Sequence, residues 1–231
     1  MIRTVAETGS TNADVLELAR TGAPEGLWLR AERQTSGRGR QGRAWQSPAG
    51  NLHASTLVRL RPTDPPAATL ALAAAVALEE AVSVFLPGVA IKWPNDLLLD
   101  GAKLSGILLE RTGDAVVIGF GVNLAHHPRD LDRRATSLAA HGPAPDPQIF
   151  AETLAEGFAR WLARWRGEGL APVRERWLAR AHPPGTALTA RLGDGAGVDG
   201  LFAGLDAEGA LILRLADGRS HVIHAADVFL I

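Results

Sequence analysis

Residues 89–110 read VAIKWPNDLLLDGAKLSGILLE, and the punctuation within this stretch decides the fold. Val89 to Trp93 has the composition of a strand, and Pro94 ends it, because proline brings no N–H to a ladder. Leu97-Leu98-Leu99 and Leu104 to Glu110 then flank Asp100-Gly101. Both turn positions tolerate positive φ, so the two runs are expected to close as a hairpin. Antiparallel neighbours flanked by helical segments point to an α+β chain.

On the amino-terminal side, Ala67 to Phe85 is an alanine- and leucine-rich run expected as a buried helix ending before Pro87-Gly88. From Asn51 to Leu60, Leu52, Ala54, Thr56, Val58 and Leu60 alternate with His53, Ser55, Leu57 and Arg59, the pattern of a half-buried strand. Residues 33–50 carry glycines and Pro48 with no apolar period and are expected to form a loop. Leu27 to Glu32 and Ile2 to Glu7 are further strand candidates. Between them, Val15, Leu16, Leu18 and Ala19 make a helix that Thr11 and Asp14 would cap and Gly22 would stop.

On the carboxy-terminal side, Ala115 to Leu124 is a strand, and Pro147 to Trp165 and Ala171 to Ala181 are helices. His182-Pro183-Pro184-Gly185 breaks the pattern, which divides the chain into residues 1–183 and 184–231. Short alternating runs follow at Ala187 to Leu192, Gly197 to Leu205, Ala210 to Leu215 and His221 to Ile231. They are expected to form a small all-β barrel or sandwich.

A formal net charge of −1 gives no field that could hold a nucleic-acid backbone over the whole surface, so a polyanion site must be local. Cysteine is absent, which excludes thiolate nucleophiles and cysteine-ligated metals. The amino terminus shows no apolar signal core and no segment approaches the ~20 uninterrupted apolar residues of a membrane span, so the cytoplasm is expected and no membrane partner is.

Gly37-Arg38-Gly39-Arg40-Gln41-Gly42-Arg43 alternates glycine with arginine. Glycines let backbone close around a ligand and guanidinium forks pair with phosphate or carboxylate, so the loop suits a polyphosphate. A solvated loop and a nucleic-acid-binding segment remain open from these residues alone. Trp45 has the shape to cover an aromatic ligand such as adenine, or to anchor the loop in the core. The spacing is neither that of a Walker loop nor that of a dinucleotide fingerprint. Lys92-Trp93-Pro94-Asn95-Asp96 places polar groups where a strand leaves its sheet, either as ligand contacts or as an ordinary Asx turn. Lys103-Leu104-Ser105-Gly106 follows the hairpin, with Gly106 allowing close backbone approach.

Taken with Ser10-Thr11-Asn12, Gln34 and Gly119-Phe120-Gly121-Val122-Asn123, the order and spacing of these motifs resemble those of the biotin–protein ligase family. The resemblance covers essentially the whole chain. It implies a mixed-sheet catalytic fold flanked by helices, of class II synthetase type, followed by a small SH3-like β-barrel. It also implies an ATP-dependent biotin–[acetyl-CoA-carboxylase] ligase that makes biotinyl-5′-adenylate and passes biotin to a lysine of a biotin carboxyl carrier protein. Biotin contacts would come from Ser10, Thr11, Asn12, Gln34, Gly37, Arg38, Gly39, Arg40, Lys103 and Gly106. Nucleotide contacts would come from Arg38, Arg40, Arg43, Trp45, Lys92, Asn95 and Asn123, with Mg²⁺ carried on the phosphates. Arg38, Arg40 and Lys103 would offset the charge of the reaction, and Asp96 would either help deprotonate the incoming amine or orient its turn. The 37–43 loop is expected to be mobile in the empty protein. The resemblance implies a homodimer, and no DNA-binding function is expected, because the chain starts at the catalytic strand. Lipoate–protein ligase chemistry is the nearest alternative, and a nucleic-acid-binding module a distant one.

Trp161, Trp165 and Trp177 are expected to be packing residues, His126-His127 a solvated loop, and His53 is assigned no role.

Overall fold

The computed structural model describes residues 2–129, 134–193 and 195–230. Ile231, with which the last of the expected strands ends, lies outside them. Strands β1 (Ile2–Thr8), β2 (Trp28–Gln34), β3 (Leu52–Arg59), β4 (Val89–Lys92), β5 (Asp96–Leu99), β6 (Ala102–Thr112) and β7 (Ala115–Val122) form one sheet. Its order is β1-β2-β3-β7-β6-β5-β4, with β1 and β2 parallel and every other pair antiparallel. The mixture follows from connection length: α1 (Thr11–Arg20) carries the chain back between β1 and β2, while β5 and β6 turn directly. That turn has the expected chemistry, with φ of 50° at Asp100 and 74° at Gly101.

Three further helices, α2 (Leu70–Phe85), α3 (Pro147–Glu168) and α4 (Ala171–Leu178), share one buried cluster with the sheet residues Trp28, Leu52, Val58, Ile107, Ile118 and Phe120. Residues 67–85 have the length and composition of a membrane span, which qualifies the sequence expectation; most of this segment is buried inside the fold. Each fully buried Leu or Val there contributes on the order of 1.5–3 kcal/mol. Trp165 and Trp177 are buried as expected, and Trp161 donates its indole N–H to Glu80 at 2.9 Å. The sheet's other face holds α1, through Val15, Ala19, Leu29, Leu57 and Val117. Strand β3 is therefore buried on both faces, not half-buried as its alternation suggested.

Two local expectations change. Helix α1 is preceded by Ser10 as its N-cap without a side-chain capping bond, and Asp14 instead accepts from Thr8 Oγ1 at 2.5 Å. The last run is two strands, β11 (Ser220–Ile223) and β12 (Asp227–Leu230), because the chain bends at His224-Ala225. With β8 (Ala187–Arg191), β9 (Gly197–Leu205) and β10 (Leu211–Arg214) they make a five-stranded sheet ordered β11-β10-β9-β8-β12. This antiparallel sheet has the strand content of the expected small barrel, and Leu188, Phe202, Leu211 and Val228 join the same buried cluster as Trp177.

Candidate active site

A cavity of about 840 Å³ opens on the sheet face that carries α1. Ser10, Thr11 and Asn12 reach it from the start of α1, Gln34 from the end of β2, and Gly106, Leu108, Gly119 and Gly121 from the central strands. Gly106 and Gly121 are paired neighbours on β6 and β7, so the sheet is bare there. The Trp45 ring fills the space: a β-carbon on Gly121 would stand 2.5 Å from it, and one on Gly106 would stand 3.4 Å away. Lys103 Nζ lies 5.7 Å from the centre of the same ring.

The glycine–arginine segment is a compact loop with its own bonds. Trp45 N donates to Gly37 O at 2.9 Å and Gly39 N to Arg43 O at 2.7 Å, with Gln41 and Gly42 at positive φ. Gly37 is required by contact, since a β-carbon would lie 2.5 Å from Ser47 Oγ and 2.6 Å from the Trp45 carbonyl oxygen. Arg38 is exposed and lines the cavity. Arg40 and Arg43 cross to the five-stranded sheet. Arg43 pairs with Asp227, and Arg40 Nη1 stands 3.7 Å from the same carboxylate, 3.3 Å from the Ala226 carbonyl oxygen and 3.4 Å from Asn95 Oδ1.

Asp96 opens β5 between two ammonium groups, Lys103 at 2.6 Å and Lys92 at 3.1 Å. Burial by itself would push its carboxyl up, but the charges and hydrogen bonds of Lys103 and Lys92 outweigh it and hold the group below its ordinary value. A carboxylate so stabilised is a poor proton acceptor and a good anchor for both lysines. Lys92 also donates to the Val228 carbonyl oxygen at 2.9 Å. The cavity is thus lined by Arg38, Arg40, Arg43, Lys92, Lys103 and Arg191 against the carboxylates of Asp96 and Asp227. A site with this cationic surplus, in a chain of net charge −1, is built for a polyanion.

Of the residues expected from sequence, Ser10, Thr11, Asn12, Gln34, Arg38, Gly39, Arg40, Arg43, Trp45, Lys92, Asn95, Lys103 and Gly106 all line this one cavity. Gly37 and Asn123 do not. Gly37 packs against Ser47 and the Trp45 carbonyl, and Asn123 is buried with Nδ2 on the Thr136 carbonyl oxygen at 3.0 Å, tying the end of β7 to the following segment. Sequence reasoning missed Ser47, which accepts from Gln34 Nε2 at 2.9 Å, and Ser55, 2.7 Å from Thr11 Oγ1. It also missed Arg191, Asp227 and Phe229, which have no local signature because they arrive from the other sheet. His53 is buried, 3.1 Å from the Pro48 carbonyl oxygen, with burial lowering its pKa, and it is not among the lining residues. His126 is exposed, whereas His127 is half-buried with Nδ1 3.0 Å from Ser137 Oγ.

Among the described residues no three His, Asp or Glu side chains converge, and both site carboxylates are engaged by lysine or arginine. This donor set does not fit a cation held by the protein.

Residues 6–123 match the model of the Biotin/lipoate A/B protein ligase family, and residues 188–231 match that of the Biotin protein ligase C terminal domain. The chain is 44% identical to a biotin--[acetyl-CoA-carboxylase] ligase of Paracoccus denitrificans, over 97% of this chain and 98% of that one. It is 37% identical to one of Mycobacterium tuberculosis, over 97% and 86%. Among solved structures, a biotin protein ligase from Aquifex aeolicus in complex with biotin and ATP superposes with a TM-score of 0.89 at 24% identity, covering 100% of this chain and 99% of that one.

Proposed function

The chain belongs to the biotin/lipoate A/B protein ligase family, and from that premise we propose that its cavity couples biotin to ATP and then hands biotin to a protein lysine. It is an ATP-dependent biotin–protein ligase. The observation that carries this reading is a single cavity joining a floor of hydroxyl and amide groups to a ring of cations. The floor, Ser10, Thr11, Asn12 and Gln34, suits the polar ureido ring, and the cations suit a carboxylate and a triphosphate.

In the first half-reaction a biotin carboxylate oxygen attacks the α-phosphorus of ATP and pyrophosphate leaves. Anion meets anion, so Arg38, Arg40, Arg43 and Lys103 supply the positive field, with Lys103 held in place by Asp96. Mg²⁺ accompanies the nucleotide as part of that substrate. Trp45, Lys92 and Asn95 are assigned to the nucleotide, and Gly39 and Gly106 to close backbone approach. Asn123 is assigned an indirect part, through the segment it anchors. In the second half-reaction the neutral lysine amine attacks the mixed-anhydride carbonyl and AMP leaves, with no covalent enzyme intermediate. Water would destroy the anhydride, which is the use of a loop able to close over it.

The acceptor is the carrier domain of a biotin-dependent carboxylase, acetyl-CoA carboxylase by the naming of the relatives. We further infer a cytoplasmic homodimer; a light-scattering mass of one chain would exclude the dimer. The near-neutral charge argues against nucleic acid as a second ligand, so duplex DNA is expected to cause no retardation. Incubation with ATP, Mg²⁺, biotin and a carrier domain should release pyrophosphate and label the carrier. Pyrophosphate release with lipoate in place of biotin would assign the lipoate branch, and calorimetry showing no biotin binding would reject the reading.

A further inference from the structure

Three buried polar side chains beneath the cavity are joined end to end, and their chemistry gives the hydrogen bonds one direction. Asn12 Nδ2 lies 2.8 Å from Glu110 Oε2 and 3.4 Å from the Leu108 carbonyl oxygen. A carboxylate and a carbonyl have no proton to give, so the amide is held with its NH₂ group towards β6. Its oxygen then faces Ser55 Oγ at 2.6 Å, which commits the single hydroxyl proton of Ser55 to it. Thr11 Oγ1 stands 2.7 Å from Ser55 Oγ. With the serine proton engaged, Thr11 is the donor of that bond, and it turns lone pairs towards the cavity that it lines.

Gln34 agrees with this polarity. Its Oε1 accepts from Thr11 N at 2.8 Å and lies 3.1 Å from Thr11 Oγ1, so the threonine proton sits between two acceptors. Thr11 and Asn12 are each 4% exposed and Ser55 is 0% exposed, so water does not relieve a misdirected proton. Gly119 makes room for the relay, since a β-carbon there would lie 2.2 Å from Asn12 Oδ1.

We propose that Glu110, which stands behind the cavity wall, is a positioning residue that sets the direction of this relay and makes the floor an acceptor of ligand N–H groups. This inference rests on the biotin reading: the cyclic urea of biotin offers two N–H donors, whereas a dithiolane ring offers none. A ligand without them leaves the lone pairs of the floor desolvated and unsatisfied.

The test titrates biotin and its two cyclic carbamates, each with one ureido N–H replaced by oxygen, into wild type, Glu110→Ala and Glu110→Gln by calorimetry. Wild type is expected to bind at least one carbamate about tenfold more weakly than biotin. Glu110→Ala lets the Asn12 amide turn over, so that Ser55 donates to Thr11 and takes up a lone pair that the ligand would use, and this ratio should fall towards parity while the KM for ATP stays unchanged. Glu110→Gln keeps an oxygen that accepts from Asn12 and should restore the ratio. Glu110→Met fills similar space without an acceptor for the Asn12 amide and should lower the ratio in the same way, which decides the matter if Glu110→Ala does not fold. An undiminished ratio in Glu110→Ala, or in Glu110→Met if that variant must decide, would overturn the role of Glu110. Wild-type protein that ignores biotin altogether would instead overturn the function on which this inference rests.

Discussion

Asp96 shows how much one side chain carries. Its carboxylate holds Lys92 and Lys103 at once, and Lys103 is exposed enough (29%) for solvent to screen part of that interaction. Asp96→Asn leaves two cations without their shared counter-charge, and a loss on the order of 3 kcal/mol in unfolding free energy is expected. Because its folded pKa is depressed, the stabilisation is complete above the ordinary value of 3.8 and drains away as pH falls through the depressed one. Denaturant midpoints measured from pH 6 downwards should therefore fall more steeply for wild type than for Asp96→Asn in the acid limb; parallel curves would remove Asp96 from this role. Lys103 was legible in the sequence through the company of its motif. The partnership of Asp96 was not, because it needs the shift in register between β5 and β6 at Leu97/Leu98.

Strand β7 separates two halves of the site by the alternation of its side chains. Gly119 and Gly121 share the cavity face two residues apart, one under Asn12 and the other under Trp45. Gly121→Ala is expected to displace the indole and raise the KM for ATP by about tenfold with little change in biotin affinity, whereas Gly119→Ala should do the reverse. Steady-state titration of each substrate against each variant reads both effects, and variants that shift both constants equally would refute the division. The period of two was visible in the sequence as Gly-Phe-Gly; which face it belonged to was not, since β3 and the first half of β7 are buried on both faces. The glycine–arginine loop is a second element-scale case. Its bonds to the rest of the molecule run mainly through Arg40 and Arg43, so trypsin should cut after its arginines in the ligand-free protein and be slowed by biotin with ATP. Equal cleavage rates with and without substrates would contradict a closing role.

At the scale of the molecule, the five-stranded sheet is part of the site. Asp227 draws Arg40 and Arg43 towards it, and the Val228 carbonyl oxygen receives Lys92. Asp227→Ala should loosen the loop and let adenylate escape into solution before transfer, detected as biotinyl-adenylate that accumulates free of protein. The stability cost should stay near 1 kcal/mol, because Arg43 is 51% exposed. Retention of adenylate at the wild-type level would separate this sheet from the chemistry.

Sequence alone determined the order of the elements, the Asp100-Gly101 turn and the motifs that carry the family. Each of these is written in local periodicity and turn chemistry, which neighbouring residues decide among themselves. Tertiary structure alone decided that β3 is buried on both faces, that the last run divides at His224-Ala225, and that residues 43 and 227, 184 positions apart, meet over one cavity. Such meetings are settled by the packing of the whole core, and so they leave no trace in any short stretch of chain.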